Sequence, residues 1–91
     1  MLEFNGFHPK ETTTAITLKL TDSGVSYHNL DNGAFQFIAY KQIAGFSGWN
    51  PGYGSLHIYS ANPNLMIHVN FPEETADQTL DKIQKHLRQK V

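Results

Sequence analysis

SLHIYSANPNLMIHVNF, residues 55–71, decides the fold. Two runs of strand-forming residues flank Ala61-Asn62-Pro63-Asn64, which has the composition of a turn. With Ser60 opposite Leu65, Ile58 faces Ile67 and Leu56 faces Val69. That register gathers Leu56, Ile58, Leu65, Ile67, Val69 and Phe71 on one face, because successive side chains of a strand point to opposite sides. His57, Tyr59, Met66, His68 and Asn70 fall on the other. A slip of one residue would mix the two sets, so burial of the aliphatic face holds the pairing.

Downstream the period changes. Ala76, Leu80, Ile83, Leu87 and Val91 recur at helical spacing and make one apolar stripe. Pro72 suits the first turn of a helix, and Glu73 and Glu74 suit its positive end. Lys85, His86, Arg88 and Lys90 complement the negative end. These signals predict one amphipathic helix over about residues 73–90.

Upstream, residues 13–21 alternate, with Ile16, Leu18 and Leu20 on one face and Thr17, Lys19 and Thr21 on the other. Asp22-Ser23-Gly24 is a turn signal, residues 25–29 resume as a strand, and Asn32-Gly33 is a strong hairpin cue. Residues 34–40 and 42–47 read as two further strands, and 2–7 as another ending near Pro9. Residues 47–54, with three glycines and a proline, read as a loop that displays Trp49 and Tyr53. The expected fold is mainly β (α+β): seven short antiparallel strands in a small sandwich or partly open barrel, capped by one C-terminal amphipathic helix. With 91 residues the chain is a single domain, 1–91.

This order is that of pleckstrin-homology (PH-like) domains, and the resemblance extends to motifs. Leu2-Glu3-Phe4-Asn5 opens the chain, followed by Leu18-Lys19-Leu20-Thr21-Asp22-Ser23-Gly24-Val25 and Tyr27-His28-Asn29 with a turn at Gly33. Ile43 precedes Trp49, Gly52-Tyr53-Gly54-Ser55-Leu56-His57-Ile58 leads to Asn62, and Phe71 precedes the helix. The succession resembles the N-terminal PH-like domain of the small subunit of FACT, the histone chaperone family. The resemblance implies a heterodimerisation domain that pairs with a PH-like domain of a large subunit, in chromatin and in the nucleus. Residues 47–54 carry no charge, so the DNA and histone contacts made elsewhere in that family do not transfer.

Composition bounds the function classes. Charged residues make up 16% of the chain, and its net charge is −1. An average soluble domain has about 25% charged residues, so much of the surface is neutral or apolar, as a partner-covered face would be. Neither an anionic membrane nor a nucleic-acid backbone is attracted by such a charge. The chain has no cysteine, which excludes disulfides, thiol catalysis and cysteine zinc sites. Met1-Leu2-Glu3-Phe4 lacks a signal-peptide pattern, so the expected location is intracellular: nuclear if the resemblance holds, otherwise cytoplasmic.

Residue chemistry points the same way. Cross-strand His57 and His68 stand close enough to share a metal, but the neighbouring Tyr59 and Asn70 are poor further ligands. No Ser or Asp is spaced to orient a histidine as a base, and Glu73, Glu74 and Asp77 are explained by the helix dipole. Phosphoinositide binding needs Lys and Arg converging near the first strand turn, and the turn 21–24, read as that turn, offers only Lys19. We therefore expect no catalytic residue, no cofactor, and no direct nucleic-acid or membrane partner. Trp49, Tyr53, Tyr59 and Met66 are the candidate partner-binding residues, since Trp and Tyr anchor interfaces most often. Trp49 has a second reading, as a plug folded back into one end of the barrel. The alternatives are a stand-alone homo-oligomerising or peptide-binding module that adds a strand to an exposed edge, and a His57/His68 metal site.

Overall fold

The computed structural model describes residues 1–91. Its centre is the hairpin of β6 (Gly54–Ser60) and β7 (Met66–Phe71). Leu56 pairs with Val69, His57 with His68 and Ile58 with Ile67, the register expected from the aliphatic face. Leu56, Ile58, Ile67, Val69 and Phe71 are all buried.

Before this hairpin come β1 (Leu2–Phe7), β2 (Ala15–Leu20), β3 (Gly24–Asn29), β4 (Phe35–Ala39) and β5 (Ile43–Trp49). The strands form one antiparallel sheet in the order β4-β3-β2-β1-β7-β6-β5. The sheet does not close, and β4 and β5 are its two edges. Its halves meet at β1, which is paired with β2 along its whole length but with β7 only through Phe7 and Asn70. Gly6 lies at that junction: a Cβ there would collide with the Asn70 carbonyl oxygen and come within 2.8 Å of Val69 Cγ2.

A single core of 16 buried residues joins both halves and the helix. Ile16, Leu18, Leu20, Val25 and Ile38 come from β2–β4, and Leu80, Ile83 and Leu87 come from α1 (Ala76–Lys90). The helix lies over β5 and β6, covering apolar surface that the open sheet would leave wet. A 3₁₀ turn at Glu73–Thr75 precedes it. Val91 is exposed, so the apolar stripe ends at Leu87, one turn before the expected limit. Tyr40 ties the helix to the other half-sheet: its hydroxyl donates to the Thr21 carbonyl at 2.6 Å and lies 3.0 Å from His86 Nε2.

Three local expectations change. Trp49 is the last residue of β5 rather than part of a loop, because it pairs with Ser55 across the hairpin; the connector shrinks to residues 50–53. Tyr40–Gln42 is a 3₁₀ turn, not strand. The first connection between strands is 8–14, after β1, and not the β2–β3 turn at 21–24. It carries Lys10, whereas Lys19 sits within β2 and lies 3.7 Å from Glu3.

Candidate interaction surface

The side chains opposite the core on β5, β6 and β7 form a continuous aromatic surface. His57, from β6, is its centre. Trp49 stacks on it from β5 with ring centroids 5.4 Å apart and planes 12° apart. Tyr59 stacks on it from two residues along β6, at 6.0 Å and 19°. His68 faces it across the β6–β7 pair at 3.8 Å and 26°, as the register requires. Met66 stands opposite Tyr59.

This surface is open. Trp49 is 52% exposed, Tyr59 43% and Met66 44%. Trp49 therefore lies outside the core and does not plug the sheet. Tyr53 is also exposed, in the connector, and joins none of the ring stacks. Three of the four candidate residues share one face, brought there by strand pairing.

Burial and the neighbouring His57 and His8 hold the His68 imidazole below its ordinary pKa, burial being the larger cause. His57 Nε2 is buried and unpartnered, and His68 Nε2 lies 3.3 Å from Ser55 Oγ. That Ser–His contact was not legible from spacing, because it runs diagonally between strands. Ser55 is 2% exposed, so its hydroxyl is shielded from any external electrophile.

A shared metal ion fits this pair poorly. Imidazole lone pairs lie in the ring plane, and a cation between stacked rings would sit out of both planes. No third His, Cys, Asp or Glu joins them in a ligand cluster. Beside the surface a cleft of about 270 Å³ opens between the His8–Lys10 segment and Met66 and His68. His8 is fixed there, its Nδ1 accepting from the backbone N–H groups of Lys10 and Glu11, both at 3.1 Å.

A second exposed apolar region was not singled out from the sequence. Phe35 and Phe37 project from the outer side of β4, and His28 meets Phe35 edge-on at 6.3 Å. Phe35-Gln36-Phe37-Ile38 is apolar on both faces of a strand, so its periodicity assigns neither face. Pairing Val25 with Ile38 settles the matter, turning Ile38 to the core and the phenylalanines outward.

No family model, curated protein or solved structure matches this chain.

Proposed function

We propose that this chain is a non-enzymatic protein-interaction domain that docks a partner on the outer face of β5–β7. The observation that carries the reading is the exposed Trp49–His57–Tyr59 stack, extended by Met66. Interface cores are depleted in charged residues and enriched in Trp, Tyr and Met, and none of the stacked residues is Asp, Glu, Lys or Arg. The rings are held in place by one another before binding, which lowers the entropy cost of association. Trp49 is the main anchor, with Tyr59 and Met66 beside it and Tyr53 at the rim.

A nucleic-acid partner is disfavoured, because stacking rings without a basic groove give the backbone nothing to follow. No helix is long and apolar enough to cross a membrane. The resemblance to the FACT small subunit makes a PH-like domain of a histone-chaperone large subunit the hetero-partner to look for, with a nuclear setting.

Affinity purification with the wild-type chain and with Trp49→Ala tests the reading. Its expected outcome is a stoichiometric protein partner whose affinity falls at least about 30-fold, the size of an interface hot spot, while the variant stays folded. A partner retained equally by both chains would remove this face from the interface.

A further inference from the structure

The cleft beside β7 exists because β1 stops early. The Ser60 N–H donates to the Leu65 carbonyl at 3.3 Å, and backbone groups alternate in direction along an antiparallel strand. Ile67 and Val69 therefore bond to β6, while Met66, His68 and Asn70 turn their backbone groups toward β1. Asn70 meets Phe7 there, the last residue of β1. Continued for two residues, β1 would bring Pro9 opposite His68, but proline has no N–H to donate. The backbone groups of Met66 and His68 are left without a strand on that side, and there the cleft of about 270 Å³ opens.

The polar side chains around it are donors. His8 Nδ1 accepts from two backbone N–H groups, so the ring proton is on Nε2. Lys10 is exposed and takes part in no ion pair. Gln36 also lines the cleft; its Oε1 is buried and unpartnered, so its amide can meet a ligand only through the NH₂ group. No carboxylate is among the lining residues. The nearest acids are engaged elsewhere: the Thr14 hydroxyl lies 3.4 Å from Glu11 Oε2 and 2.9 Å from Asp31 Oδ2. Pro9 and Met66 add apolar surface. The volume is just below the roughly 300 to 1,000 Å³ of small-molecule pockets, which suits a compact molecule.

We propose that this cleft binds a small carboxylate that carries an N–H or O–H beside its acid group, the chemistry of an N-acylated amino acid or an α-hydroxy acid. The Lys10 ammonium and the N–H groups of His8 and Gln36 hold the carboxylate through charge-assisted hydrogen bonds. The neighbouring N–H or O–H donates to a backbone carbonyl that Pro9 leaves free on β7, and the apolar body packs on Pro9 and Met66. A phosphate suits the cleft less well, because it brings two charges to one lysine and no donor for the carbonyl. The site adjoins the β5–β7 face and shares Met66 and His68 with it, but it needs no protein partner to form.

Nuclear magnetic resonance titration of the purified chain with N-acetyl-leucine and with α-hydroxyisocaproate tests it, without any partner protein present. Saturable shifts of the Lys10, Met66 and His68 amide signals are expected with at least one of the two acids. The methyl ester of N-acetyl-leucine, which lacks the charge, should bind at least about tenfold more weakly, the worth of a hydrogen bond to a charged group. Lys10→Glu should weaken binding of the acids by at least as much. Lys90→Glu makes the same charge change on α1, which does not line the cleft, and should bind as the parent does. The absence of saturable shifts with both acids would overturn the proposal. So would equal binding of acid and ester, or a stronger response to inorganic phosphate than to either acid.

Discussion

The outer face of β5–β7 and the edge at β4 both expose aromatic rings, yet they are opposite kinds of surface. At the centre of the first, β6 is paired on both sides along its length, and the face over β5–β7 offers side chains: the Trp49–His57–Tyr59 stack with Met66. On β4 one side of the backbone is unpaired, and Phe35 and Phe37 flank groups that want hydrogen bonds. On the function proposed above, the first surface selects a partner by shape and aromatic packing. The second offers unpaired backbone groups beside its rings, along an edge that carries no charged residue. Removing the Trp49 ring should disable the first.

The comparison assumes that both surfaces hang on one folding unit, and Gly6→Val is the way to break that assumption. The new side chain would meet the Asn70 carbonyl and Val69 where the half-sheets join. Overpacking with backbone displacement should cost about 3 kcal/mol or more. Urea denaturation should show one cooperative transition at a lower midpoint. Two separate transitions would mean that the half-sheets fold independently.

Trp49→Ala sharpens the contrast next. About 2 kcal/mol or more of hetero-partner affinity should vanish, with a melting temperature near that of the parent, because the ring lies outside the core. Binding calorimetry and thermal unfolding of the same variant supply the two readings.

Tyr40→Phe should leave both surfaces intact and lower stability by about 1 kcal/mol, the worth of an ordinary hydrogen bond. It removes the hydroxyl that joins Thr21 to His86. Loss of partner binding in this variant would show that the helix, and not only the strands, positions the aromatic face.

The smallest expected effect is one of pH. His68 is held below its ordinary pKa of 6.5 in the folded chain, so the unfolded chain binds a proton more readily. Stability is therefore full above 6.5 and is lost as pH falls through the lowered folded value. His68→Gln should flatten that slope in unfolding experiments between neutral and mildly acidic pH. An unchanged slope would assign the acid sensitivity to another group.

Legibility in the sequence followed the range of the interactions. The β6–β7 register was readable because its turn is four residues long and a one-residue slip would expose Ile58 or Ile67. The helix was readable because Ala76, Leu80, Ile83 and Leu87 repeat within one segment. Trp49 was misplaced in a loop because glycines at 48, 52 and 54 outweigh a strand end that only pairing with Ser55 reveals. Phe35 and Phe37 passed unnoticed because a strand apolar on both faces looks the same at an edge as in the middle of a sheet.

By itself, then, the sequence determined the antiparallel strands, the C-terminal helix, the identity of most core residues and the pairing of His57 with His68. Each depends on periodicity and turn chemistry within neighbouring residues. The tertiary structure alone decided that the sheet stays open, that β4 and β5 are its edges, and that Trp49 stands in solvent. The two half-sheets join where β1 reaches β7 through a single residue pair. Such a contact links residues 7 and 70, and it is set by the joint packing of both half-sheets and the helix on one core, which no local pattern encodes.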